Sequence, residues 1–196
     1  MNPPDDRTPR PSTHARMAAR VTSSPPLALL CGAVERLERG GVTVALGGSG
    51  LLAALGLVET VGDWDLTTDD PFGRVAAALA GEPYTDHGSD DLHADRKLVL
   101  ADGAVELILG LAFHVAGGVV RIPTMVSARV EGIPLGSPEC WAVAYDLLGR
   151  REKSAALFDH LARVGADRRT VTRLLGEPLP AALAAGLAAL ATSRET

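Results

Sequence analysis

The sequence predicts an α+β fold, a mixed β-sheet core flanked by helices with a helical C-terminal portion. Three observations carry that prediction. Short β-branched or alternating segments are interleaved with helical patterns up to residue 136, Lys97 to Leu109 carries a strong hairpin signal, and from Ser137 onward the chain reads as helices alone. At about 150 residues per domain, the 196 residues correspond to one domain with an appended piece. The expected organisation is a disordered tail over 1–24, a core over 25–136 and a helical portion over 137–196.

Residues 1–24 hold four prolines and no apolar periodicity. Ser24-Pro25 then reads as a helix start, and Leu27, Leu30, Val34 and Leu37 recur at helical spacing until Gly40-Gly41 stops them. Val42 to Leu46 is apolar on both faces, as a buried strand is. It runs into Gly47-Gly48-Ser49-Gly50 and a short apolar helix over Leu51–Leu57. Asp63 to Thr67 alternates with period two and reads as a half-buried strand, and Asp70-Pro71 opens a helix to about Leu79, closed by Gly81. The acidic stretch 82–95 reads as a loop with at most a short strand. Lys97–Leu100 and Ala104–Leu109 flank Asp102-Gly103 as a hairpin. A further strand pair is expected at Val119–Pro123 and Ala128–Ile133. Helices follow from Ser137-Pro138 to Leu148, over Glu152–Val164, over Asp167–Leu175 and over Pro180–Ala191.

Composition removes several function classes. Aromatics are only 4%, too few for the stacking platforms of a single-strand nucleic-acid binder. A net charge of −5 argues against strong nonspecific DNA binding. Cys31 and Cys140 form no Cys-x-x-Cys pair, so neither a zinc site nor a disulfide framework is expected, and a cytoplasmic location fits best. No stretch approaches the roughly 20 apolar residues of a membrane span. Leu27–Val34 is too short and too close to Pro25-Pro26 to read as a secretory signal. The charges are unevenly placed: twelve acidic and three basic residues lie between Glu59 and Glu106, against six and nine between Arg121 and Arg173. That asymmetry suits a metal-bound polyphosphate, with carboxylates for the cation and basic groups for phosphate oxygens.

The chemistry concentrates in Gly47-Gly48-Ser49 and, fourteen residues after Ser49, Asp63-Trp64-Asp65. Residues two apart on a strand share a face, so Asp63 and Asp65 project together while Trp64 and Leu66 enter the opposite layer. Two carboxylates this close repel unless a cation neutralises them, and Mg²⁺ takes carboxylate, water and phosphate oxygens. Gly47 and Gly48, between strand and helix, leave room for backbone N–H groups to approach a triphosphate, and Ser49 adds a hydroxyl. Glu106, inside the apolar strand AVELILG, needs a partner. It completes a triad with Asp63 and Asp65, faces solvent on a sheet edge, or pairs with Lys97 or Arg96 across the hairpin. His87 and His93 fit no standard zinc spacing. Trp141 and Tyr145, four apart on one helix, read as core packing.

In this order of strand, Gly-Gly-Ser, helix, Asp-x-Asp strand and hairpin with a third acid, Leu27 to Leu161 resembles the nucleotidyltransferase superfamily with the DNA polymerase β-type core. Within it, the similarity is to small bacterial toxin-like and antibiotic nucleotidyltransferases. The resemblance implies that Gly47, Gly48 and Ser49 bind the nucleotide, that Asp63, Asp65 and Glu106 form the catalytic, Mg²⁺-binding acids, and that Glu106 assists a second ion or the incoming hydroxyl as base. Gly149-Arg150-Arg151-Glu152-Lys153 is similar to the family's basic region after the core, which implies a phosphate or acceptor role for Arg150 and Lys153. The chain departs from the pattern at Ser154, where an acid is expected, at Thr60-Val61-Gly62, which lacks an arginine, and in having Glu rather than Asp as third acid. The implied reaction is Mg²⁺-dependent transfer of a nucleoside monophosphate from an NTP, ATP first among them, to a small molecule, a protein or tRNA. A second reading keeps the fold without the reaction, as a nucleotide- or partner-binding protein of a toxin–antitoxin system.

Overall fold

The computed structural model describes residues 22–90, 92–93 and 95–192. The expected disordered tail therefore lies outside the described residues up to position 21, and its last residues differ from expectation. Ser23 bridges Thr60, the Val61 N–H donates to the Ser23 carbonyl at 2.9 Å, and the Thr22 N–H donates to the Glu59 carbonyl at 2.7 Å.

Helix α1 (Leu27–Arg39) buries Leu30, Val34 and Leu37, the stripe that the 3.6-residue period demands. Pro26, not Ser24, occupies its cap, and Gly40-Gly41 ends it with Gly41 at φ 73°. The following strand is shorter than expected. Only Ala45–Leu46 pairs as β1, although Val42 and Val44 are buried beside it. Helix α2 (Gly48–Ala54) starts three residues earlier than its apolar run, directly from the glycines. Strand β2 (Trp64–Thr68) is followed by α3 (Phe72–Ala78), then by β3 (Tyr84–Gly88), β4 (Arg96–Leu100), a 3₁₀ turn (Ala101–Gly103) and β5 (Val105–Leu109). The 82–95 stretch thus contains a five-residue edge strand, held by pairing with β4 rather than by its own polar sequence.

The expected pairing of 119–123 with 128–133 is replaced by two local hairpins. Strand β6 (Ala112–Val115) pairs with β7 (Gly118–Arg121), and β8 (Val126–Val130) with β9 (Ile133–Gly136). In the second, Glu131 and Gly132 both have positive φ, 55° and 84°, and close a two-residue loop whose twist suits adjacent antiparallel strands. Helices α4 (Pro138–Leu147), α5 (Arg151–Val164), α6 (Arg168–Leu175) and α7 (Ala181–Thr192) complete the chain close to the expected bounds.

The main sheet is mixed, in the order β3-β4-β5-β2-β1-β9-β8, and β6-β7 forms a separate ribbon. Strands β2 and β5 run parallel at its centre, β1 is antiparallel to β2 and parallel to β9. Central position explains why β2 is buried at Trp64, Leu66, Thr67 and Thr68 instead of half-buried. Helix α4 enters the same core: every residue from Glu139 to Tyr145 is buried. Its Ser137 cap accepts from the Cys140 N–H, and buried Glu139 accepts from the Ser137 hydroxyl at 2.6 Å and the Asp167 N–H at 2.7 Å. Asp167 in turn caps α6. These bonds satisfy a buried carboxylate and tie the start of α6 to the start of α4. No helix among the described residues is long and apolar enough to cross a membrane.

Candidate active site

The site is built where β2 and β5 lie side by side. Their register places Asp65 opposite Glu106, and Asp63 precedes β2 by one residue. Side chains on neighbouring parallel strands in register share a face, so the two acids stand together, while Trp64 and Leu66 are fully buried in the other layer. Carboxylate oxygens of Asp63, Asp65 and Glu106 lie within 4.8 Å of one another, each side chain half-buried.

The cluster is short of positive charge. Burial first, then repulsion from Asp63 and Glu106, pushes the Asp65 carboxyl up to about 7, against the opposing pull of Arg150 and Lys97. Three hard oxygen donors so close, one of them reluctant to ionise, fit a divalent cation of the Mg²⁺ or Mn²⁺ type. Glu106 stands beside the two aspartates and pairs with Lys97, and it does not face solvent on a sheet edge, because β5 is flanked by β4 and β2. Both its oxygens accept from the Lys97 ammonium at 3.2 Å.

The two glycines are fixed by close approach. The Asp65 carboxylate lies over Gly48, where a Cβ would stand 1.6 Å from Oδ2, and Gly48 has φ 53°. At Gly47 a Cβ would stand 1.9 Å from the Trp141 ring. The Gly47 N–H is already engaged, donating to the Asp65 carbonyl at 2.7 Å. Absent side chains here thus admit an acid and an indole. Trp141 is core packing, as its spacing predicts, and it also forms a wall of the site.

A cleft with room for about 240 Å³ of solvent opens beside the acids. Asp65, Glu106, Lys97 and Arg150 line it together with His87, Ser89, Asp90 and His93, and Phe113 and Trp141 are among its apolar surfaces. Asp63, Gly47, Gly48, Ser49 and Lys153 are not on this cleft; the Lys153 ammonium sits 5.3 Å from the centre of the Tyr145 ring. Asp90 accepts from the backbone and ring nitrogens of His93, which pull its carboxyl down to about 2. The His93–Phe113 bridge and ring contact join this loop to β6. Among the described residues, the one group of acids, histidines or cysteines arranged for a metal is Asp63, Asp65 and Glu106.

Sequence reasoning missed the contact made by Ser154, and it read Tyr145 as core packing without its place beside the acids. Ser154 is buried and donates to the Ala142 carbonyl at 2.9 Å, tying α5 to α4, so a charged acid at this position would be desolvated without a partner. Tyr145 is fully buried near Asp65 and Arg150, and among the described residues its hydroxyl has no hydrogen-bond partner. Only the tertiary contacts reveal either role.

No protein-family model matches the chain, and no curated protein matches it. Among solved structures, the antibiotic-resistance factor ANT(2'')-Ia is similar, with a TM-score of 0.50 and 16% identity over 76% of this chain and 88% of that one. A candidate nucleotidyltransferase from Thermotoga maritima is 23% identical over 70% of this chain and 92% of its own, with a TM-score of 0.49. The mixed sheet, its flanking helices and the similarity to ANT(2'')-Ia together show that this chain has a nucleotidyltransferase-like fold.

Proposed function

We propose that the protein is a divalent-metal-dependent nucleotidyltransferase, which moves a nucleoside monophosphate from an NTP to an acceptor hydroxyl on a small molecule, a protein or tRNA. The observation that carries this reading is the convergence of Asp63, Asp65 and Glu106 within 4.8 Å on adjacent parallel strands of this fold, beside a cleft lined by Lys97 and Arg150. Asp63, Asp65 and Glu106 would hold Mg²⁺, which supplies positive charge for the oxygens that become negative in the reaction. In the reaction the acceptor oxygen bonds to the α-phosphorus, the bond to the β-phosphate breaks, and pyrophosphate leaves with the electron pair. Glu106 takes the hydroxyl proton. Arg150 places a fixed positive charge on the cleft, and Lys153 extends the basic surface along α5. Gly47 and Gly48 serve the site by admitting Trp141 and Asp65, and of the Gly47-Gly48-Ser49 turn the Ser49 hydroxyl and the N–H groups other than that of Gly47 would be left for the nucleotide's phosphates. Catalysis then rests on positioning and on preorganised charge. ATP is the nucleotide we expect.

The test is transfer of label from α-³²P-ATP in the presence of Mg²⁺, with pooled metabolites, tRNA and protein offered in turn as acceptors. Labelled product together with released pyrophosphate, both absent in Asp65→Ala, supports the assignment. Unimpaired transfer by a folded Asp65→Ala variant overturns it.

A further inference from the structure

Lys97 has no part in the reaction as written above, yet its ammonium is paired with one of the three acids. Its ammonium is 3.2 Å from both Glu106 oxygens, so it sits astride the carboxylate, where a cation held by that carboxylate would also be drawn. The two residues are diagonal neighbours: Lys97 pairs in register with Ile108, and Glu106 with Val99. Lys97 is 39% exposed and lines the cleft, so its four-carbon stem can swing without disturbing the core. Arg96, the next residue, is committed elsewhere, with its guanidinium 4.3 Å from the centre of the Phe72 ring and 3.4 Å from Asp86. The alternation of β4 thus sends one cation to the acids and the other away from them.

We propose that Lys97 is an exchangeable counter-ion and positioning residue of the site. Its ammonium and a divalent cation compete for Glu106, and the ammonium released by the cation turns to phosphate oxygens of a nucleotide in the same cleft. This rests on the reading of Asp63, Asp65 and Glu106 as a metal site. The two positive charges repel at this spacing, so occupancy of Glu106 by one weakens its hold on the other even though the carboxylate has lone pairs for both. Lysine suits such an exchange. An arginine would grip the carboxylate with two parallel N–H bonds and release it less readily.

Mn²⁺ is titrated without nucleotide into the full-length protein, and free ion is followed by electron paramagnetic resonance in wild type, Lys97→Met, Lys97→Arg and Arg96→Met. Competition predicts that Lys97→Met binds Mn²⁺ tighter by about five-fold or more, at the low end of ordinary coupling between sites. Lys97→Arg binds it more weakly than wild type. Arg96→Met, which removes the same charge from the opposite face, shifts the affinity by less than Lys97→Met. In a second titration Lys97→Met binds Mg²⁺-ATP several-fold more weakly. Lys97→Gln carries the same expectations if the methionine variant does not fold.

Mn²⁺ affinity in Lys97→Met no tighter than in Arg96→Met, with normal binding by wild type, overturns the exchange and leaves the metal site standing. Mn²⁺ binding by none of the four proteins overturns both.

Discussion

Asp65 places function and stability in opposition, and Asp65→Asn separates them. Its carboxyl has an ordinary value of 3.8 and is pushed up to about 7 in the fold by burial and by Asp63 and Glu106. Between those values the folded chain holds a proton that the unfolded chain has released, so stability falls as pH rises from about 4 to 7 and stays low above it. About three units at 1.36 kcal/mol each set a ceiling of about 4 kcal/mol on the cost of ionised Asp65 at pH 8. Rearrangement of the neighbouring acids and water entry leave about half of that, or about 4–8 °C in melting temperature for a chain of this size. Asparagine cannot ionise and is nearly isosteric, so it escapes the cost. In EDTA at pH 8, Asp65→Asn therefore melts above wild type, and the gap closes towards pH 4. With Mg²⁺ and nucleotide the order reverses, because only wild type gains the binding energy, about 2.7 kcal/mol at a hundred times the dissociation constant. Thermal melts across pH, with EDTA or with Mg²⁺-ATP, read both effects. An Asp65→Asn protein that melts below wild type in EDTA at pH 8, or a gap independent of pH, refutes the electrostatic reasoning.

Gly48→Ala meets both a positive φ and the Asp65 carboxylate, so it is expected to lose about 1–3 kcal/mol in urea unfolding and to weaken Mn²⁺ binding. Gly32→Ala, in α1 with nothing within 4 Å, is the control and gains up to about 1 kcal/mol. Ser154→Ala removes the buried bond to the Ala142 carbonyl, which keeps its partner within α4, and costs about 0.5–1.5 kcal/mol, read by urea unfolding. Restoring the acid with Ser154→Asp costs more, because it buries a charge in the α4–α5 contact. A Ser154→Asp protein as stable as Ser154→Ala contradicts the structural role given to this serine.

Much of this architecture can be read from local chemistry. The α1 stripe, the β4–β5 hairpin, the Ser137 and Asp167 caps and the shared face of Asp63 and Asp65 each follow from period, turn or capping rules acting within a few residues. Misreadings occur where a partner far along the chain decides the outcome. Strand β3 is polar at Asp86 and His87 and becomes a strand because β4 offers it a ladder. Val42 and Val44 have strand character and are buried, yet lie outside the two-residue strand β1. The β8–β9 hairpin is a different case, since Glu131-Gly132 is itself a turn signal that the wider pairing passed over. At the site, the residue types were readable and the contacts were not. Nothing local shows that Gly47 receives Trp141, that Gly48 receives Asp65, or that Glu106 faces the triad and Lys97 together.

The most direct test of the central claim, that the three acids form a metal site serving a triphosphate, is the melting temperature with each of the four NTPs, with and without Mg²⁺. Wild type is compared with the Asp63→Ala/Asp65→Ala variant. A rise with nucleotide that requires Mg²⁺ and disappears in the double variant is the predicted result. A rise of equal size without Mg²⁺, or one that survives loss of both aspartates, would contradict the account and favour a nucleotide-binding protein that does not use the acids.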